Sequence, residues 1–131
     1  MANEIKINLS ISVSKNGAKY ERQESFSDDM TGDAWVSGVQ QVGTGSEDIG
    51  DWASGANEDL GTFGWIYLKN CGTDKTLYVD FAHTAAALAG DDNICRLYGG
   101  ESSILKSSAE TGLFAISSSG TQTVEYAIVE L

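Results

Sequence analysis

Phe63-Gly-Trp-Ile-Tyr-Leu-Lys-Asn-Cys-Gly-Thr-Asp-Lys-Thr-Leu-Tyr-Val-Asp-Phe81 holds two apolar runs, Phe63 to Leu68 and Leu77 to Phe81, around a polar stretch from Asn70 to Lys75. Trp, Ile, Tyr, Val and Phe fit a pleated, half-buried surface, so both runs read as strands. The polar stretch between them has the composition of a turn. The first run is apolar on both sides, with Phe63, Trp65 and Tyr67 against Ile66 and Leu68. That suits a central strand covered from both faces. The second alternates, Leu77, Val79 and Phe81 against Tyr78 and Asp80, as expected where one face meets water. The stretch is therefore predicted to be the core hairpin of an all-β domain, with Trp65, Tyr67, Leu77, Val79 and Phe81 in its structural core.

Outward from there, the cleanest periodicity lies near the N-terminus. Ile5, Ile7, Leu9, Ile11 and Val13 alternate with Lys6, Asn8, Ser10 and Ser12, a strand with one apolar and one wet face. At ~3.3 Å per residue it is unusually long. Asn16-Gly17 follows, a strong two-residue hairpin signal. With those two as the loop, Val13 opposes Tyr20, Ile11 opposes Arg22, Leu9 opposes Glu24 and Ile7 opposes Phe26. Opposed residues share a face, so Arg22 and Glu24 join the apolar side. A bulge could relieve that conflict, inward charge could protect an edge, or another molecule could complete the face. Ile5, Ile7, Leu9, Ile11, Val13, Arg22 and Glu24 are the interface candidates.

Elsewhere the pattern is shorter. Ala34 to Val42 reads as a strand with Trp35 and Val39 buried, and His83 to Gly90 as a loop with one or two helical turns. Strands are predicted over 93–98, 102–106, 112–116 and 123–131, with Gly99-Gly100 and Ser117 to Gly120 as turns. Eight to ten short strands joined by Gly-rich turns predict an all-β fold, a β-sandwich or jelly roll, as one domain over residues 1–131.

The chain has 19 acidic and 8 basic residues and a net charge of -11. No Lys/Arg stripe exists, which argues against phosphate-mediated nucleic-acid binding and against an anionic membrane surface. No apolar run approaches the ~20 residues of a membrane helix. Met1 to Ile7 lacks a basic region followed by an apolar run, so a cytosolic site of synthesis is expected. Cys71 and Cys95 are accordingly expected as free thiols. Proline is absent, so strand edges must be blunted by charge or by partner chains.

Candidates for chemistry are few. The single His, His83, stands in an Ala-rich stretch with no nucleophile motif beside it. Asp28 to Asp33 and Asp91-Asp92-Asn93 offer hard oxygen ligands, yet neither has the spaced acids of a calcium loop, and Asp and Asn are ordinary turn residues. No metal, cofactor or enzymatic activity is expected. Trp52 and Tyr98 are the aromatics predicted to be freely exposed, which leaves a carbohydrate-binding module as an alternative to a protein-binding role.

The order Lys15-Asn-Gly17, Met30-Thr-Gly-Asp33, Gly38-Val-Gln-Gln-Val-Gly43, Gly64-Trp-Ile-Tyr-Leu-Lys-Asn70, Leu77-Tyr-Val-Asp80 and Gly100-Glu-Ser-Ser-Ile-Leu105 resembles a family of small tailed-phage virion proteins. Ala109-Glu-Thr-Gly112 and Val124-Glu-Tyr126 extend the resemblance toward the C-terminus. Its motifs are turns and strands, and it carries over no catalytic residue. It implies a β-sandwich that decorates a capsid or forms a head fibre, made in the bacterial cytoplasm and carried on the virion. It also implies partners among the major capsid protein or other virion proteins, and self-association, with a trimer favoured.

Overall fold

The structure, a computed structural model, describes residues 4–30, 35–50, 63–81, 93–107 and 112–130. The expected helical turn over 83–90, His83, Trp52 and the acids Asp33, Asp91 and Asp92 lie outside the described residues. Among those described the fold is all β, with strands β1 (Ile5–Lys15), β2 (Ala18–Asp28), β3 (Trp35–Val42), β4 (Glu47–Asp48), β5 (Phe63–Asn70), β6 (Leu77–Asp80), β7 (Cys95–Leu97), β8 (Ser102–Lys106), β9 (Phe114–Ser117) and β10 (Gln122–Glu130). The chain divides into two compact units, Met1–Thr31 and Gly32–Leu131.

The first unit is the hairpin β1-β2. Its register is the expected one: Lys15 opposes Ala18, Ile11 opposes Arg22, Leu9 opposes Glu24 and Ile7 opposes Phe26. Asn16 and Gly17 both have positive φ, 52° and 80°, the backbone that a two-residue turn matched to strand twist requires. Pairing runs without a register shift from Ile5↔Asp28 to the turn, so no bulge moves Arg22 and Glu24 off the apolar face.

The described residues of the second unit form two four-stranded antiparallel sheets, ordered β3-β10-β5-β8 and β4-β9-β6-β7. The pairings are nested: β6 with β7 innermost, flanked by β5 with β8, β4 with β9 and β3 with β10. A long hairpin rolled across two facing sheets gives this order, which is the jelly-roll winding. The inner faces share one core. Val42, Ile66, Leu68, Val124 and Ile128 come from the first sheet, and Leu77, Val79, Leu97 and Ala115 from the second, with Ile49, Phe63 and Leu113 closing it. Phe81 and Cys95 are partly buried against this cluster, and both cysteines are free thiols.

Three expectations are corrected. Phe63–Asn70 and Leu77–Asp80 are not paired as a hairpin: β5 and β6 lie in different sheets, and the stretch between them crosses the sandwich. Trp65 and Tyr67 are half-buried on the outer face of β5, while Ile66 and Leu68 point into the core. Strand alternation allows one face inside, and the Lys106 ammonium, 5.1 Å from the Trp65 ring centroid, lies over the outward one. Trp35 and Val39 are exposed rather than buried, because the inward residues of β3 are Val36 and Val42.

The crossing is held by Asn70, which is fully buried. Its Nδ2 donates to the carbonyls of Lys75 (3.0 Å) and Leu97 (2.9 Å), and its Oδ1 accepts the Gly72 N–H (2.9 Å). Its backbone N–H donates to the Glu101 carbonyl (3.0 Å), and its own carbonyl accepts the Gly100 N–H (2.8 Å). Two of the inter-sheet crossings, those after β5 and after β7, therefore meet at one side chain. They touch so closely that a Cβ on Gly99 would lie 2.5 Å from the Thr73 carbonyl carbon.

Asn70→Ala should cost about 2–4 kcal/mol, since it leaves buried carbonyls without donors, and near-isosteric Asn70→Asp should cost at least as much; chemical denaturation measures both. Leu68→Ala should cost about 2–5 kcal/mol, and Trp65→Ala less than Leu68→Ala, reversing the order that a two-sided core strand would give.

Candidate functional site

Ile5, Ile7, Leu9, Ile11 and Val13 form one face of the hairpin together with Phe26, Glu24, Arg22 and Tyr20 from β2. Cover along that face is uneven. Ile7 is buried and Ile5 half-buried, whereas Ile11 and Val13 are each 52% exposed and Tyr20 58%, with Leu9 and Phe26 also exposed. Arg22 and Glu24 sit among these apolar groups and neutralise each other, the Arg22 Nε–H donating to Glu24 Oε1 at 2.5 Å. The opposite face is polar, with Ser25 Oγ donating to Asn8 Oδ1 at 2.7 Å and Lys19 paired with Glu21 at 2.8 Å. All seven sequence candidates thus stand on one face, and three of its five aliphatics are open to water.

The charge of this unit departs from that of the chain. Residues 5–28 hold four of the eight basic residues, Lys6, Lys15, Lys19 and Arg22, against three acids, Glu21, Glu24 and Asp28. Glu4 and Asp29 also belong to the unit, which makes it -1 within a chain of -11 and leaves -10 elsewhere. The hairpin unit is therefore close to neutral, and an acidic protein surface repels it less than it repels the rest of the chain.

Sequence reasoning missed a second surface, the outer face of the sheet β3-β10-β5-β8. Register aligns Trp35, Val129, Trp65 and Lys106 in one row, and Ser37, Ala127, Tyr67 and Ile104 in the next. Trp35 is 64% and Val39 66% exposed. Only the register of β3 on β10, a feature of the assembled sheet, reveals that these residues face outward. Burial, and after it the Glu125 carboxylate, raises the Tyr67 pKa above 10.0. Tyr98, expected as an exposed aromatic, is exposed.

Among the described residues no three His, Cys, Asp or Glu side chains converge as a metal site needs. Asp28 and Asp29 are engaged at the end of the hairpin, where Asp28 Oδ1 accepts the Asp29 N–H at 3.1 Å. Both surfaces therefore present apolar and aromatic side chains with a few paired charges, which suits binding. No protein-family model, curated protein or solved structure matches the chain.

A raised folded pKa means that Tyr67 favours the neutral phenol in the fold. Its contribution to stability is full below about pH 10 and is lost as pH rises through the folded pKa. Glu125→Gln should move the Tyr67 titration down toward its ordinary value, followed by NMR of the Tyr67 ring; an unchanged titration would show that the carboxylate has no part in the shift.

Proposed function

We propose that this chain is a structural assembly protein that works by binding other protein subunits, with the apolar face of β1-β2 as its main contact. The observation that carries this reading is the exposure of Leu9, Ile11, Val13, Tyr20 and Phe26 on one continuous face. A two-stranded hairpin is marginal in water without a covered face, and each aliphatic side chain covered contributes roughly 1.5–3 kcal/mol. The protein's longest strand pair therefore gains most of its stability when a partner closes over it. The Arg22–Glu24 pair lets the face be covered without burying a lone charge.

The setting proposed is the virion of a tailed phage, as a decoration, cement or head-fibre subunit. The partners are the major capsid protein or another virion protein and further copies of the chain, as a trimer, after synthesis in the bacterial cytoplasm. The sequence motifs support that setting, and the jelly-roll winding is compatible with it, since viral capsid domains use it. The fold likeness is analogy and not a property of the site.

A second reading, a carbohydrate-binding module, is favoured by the row Trp35, Val129 and Trp65 beside Tyr67, because exposed aromatic faces stack on sugars. Lectin domains also use the jelly roll. Tryptophan fluorescence titrated with oligosaccharides separates the two, because only the sugar module should respond.

Leu9→Asp tests the main reading. The variant should keep the circular dichroism and melting of the sandwich while losing hairpin-mediated association in sedimentation and co-sedimentation with virus particles. A wild-type chain that neither self-associates nor binds particles, or a variant that binds as well as wild type, would overturn it.

A further inference from the structure

Among the described residues the sandwich has four edge strands, and three of them are blunted. Strand β4 is two residues long and both are acidic, β7 is three residues with Arg96 at its centre, and β8 is five residues ending in Lys106. Short length and charge are the usual devices that stop sheet edges from pairing. The fourth edge has neither. Strand β3 runs eight residues, Trp35-Val-Ser-Gly-Val-Gln-Gln-Val42, without a charge, a proline or a register shift. Among the described residues it pairs with β10 alone, so one side of its backbone presents unpaired N–H and C=O groups. Its outward side chains include Trp35 and Val39, the two most exposed large hydrophobic residues described.

We infer that β3 pairs with β3 of a second copy, antiparallel about a two-fold axis, joining two four-stranded sheets into one of eight strands. Pairing centred on Gly38 sets Ser37 opposite Val39 and Trp35 opposite Gln41, with Trp35 diagonal to Val39 of the other copy. Aromatic side chains reach such diagonal neighbours, so each copy shields the other's exposed Trp35 and Val39. An uncharged strand meets its own copy without like charges, whereas every other edge brings acid or base. A two-fold contact also closes on itself, while pairing β3 to β8 of the next copy would grow an open fibre. The contact is separate from the hairpin face and does not rest on the function proposed above.

The full chain carrying Leu9→Asp isolates this contact from the hairpin. Sedimentation should find it dimeric, and hydrogen exchange of the β3 amides should slow as protein concentration rises. Adding Ser37→Lys and Val39→Lys places like charges opposite each other and should weaken the dimer by about tenfold or more, with the circular dichroism of the single chain unchanged because both side chains face water there. A monomeric Leu9→Asp chain, a dimer indifferent to the two lysines, or open filaments in electron micrographs would overturn the inference. Should the lysine variant misfold, exchange decides alone: β3 amides that exchange independently of concentration in the wild-type chain refute the pairing.

Discussion

The second unit depends on one buried amide. A jelly roll needs the chain to leave one sheet and enter the other without stranding backbone polar groups in the interior, where an unpaired group costs about 1–3 kcal/mol. Two such crossings lie side by side here, from β5 to β6 and from β7 to β8. Asn70 serves both, because a carboxamide is the side chain that donates twice and accepts at once. Its donors go to the Lys75 and Leu97 carbonyls, on either side of β6 and in the opposite sheet's strands and turn, and its acceptor goes to Gly72. The neighbouring glycines follow from that contact. Gln122 Oε1 packs against Gly72, and Gly99 rests on the Thr73 backbone, so a side chain at 99 would force the crossings apart and one at 72 would displace the Gln122 side chain.

The legible parts of the fold were those governed by local rules. Alternation in 5–13 and the Asn16-Gly17 turn specify the hairpin to the residue, including the placement of Arg22 and Glu24 on the apolar face. Strand content and the turns at Gly100 and Gly120, both at positive φ, are equally local. What failed was global. A run apolar on both sides, such as Phe63 to Leu68, does not say which side meets the other sheet; Asn70, in step with Ile66 and Leu68, marks it once its bonds are known. A six-residue polar stretch fits a hairpin loop as well as a crossing, and only the nested pairing of β5 with β8 and β6 with β7 distinguishes them. Strand β3 has apolar residues at 35, 36, 39 and 42, which no period of two fits, so the sequence pattern does not specify which parity faces inward.

The same division governs the candidate site. The hairpin face was legible because its signal lies in consecutive residues. The outer sheet face was not, since its rows are assembled from β3, β10, β5 and β8, far apart in sequence. Being an edge is a property that a strand acquires from the sheet, so the bare backbone of β3 has no sequence signature beyond its lack of charge and proline.

Charge then constrains how the protein can associate. A chain of -11 repels its own copies over distances of about a Debye length, ~8–10 Å at moderate salt. Contact surfaces must be places where that repulsion is locally absent. Two such places exist among the described residues, and they differ in kind. The hairpin unit is close to neutral, at -1, with Arg22 and Glu24 already paired on its apolar face, so an acidic surface meets little repulsion there. Strand β3 is neutral along its whole length, so it tolerates a copy of itself. The remaining -10 is carried elsewhere, including the acidic edge β4, where it keeps a proline-free β protein from pairing indiscriminately. Acid thus leaves two surfaces where association meets little charge repulsion: the hairpin face proposed for another protein and the β3 edge inferred to take a second copy.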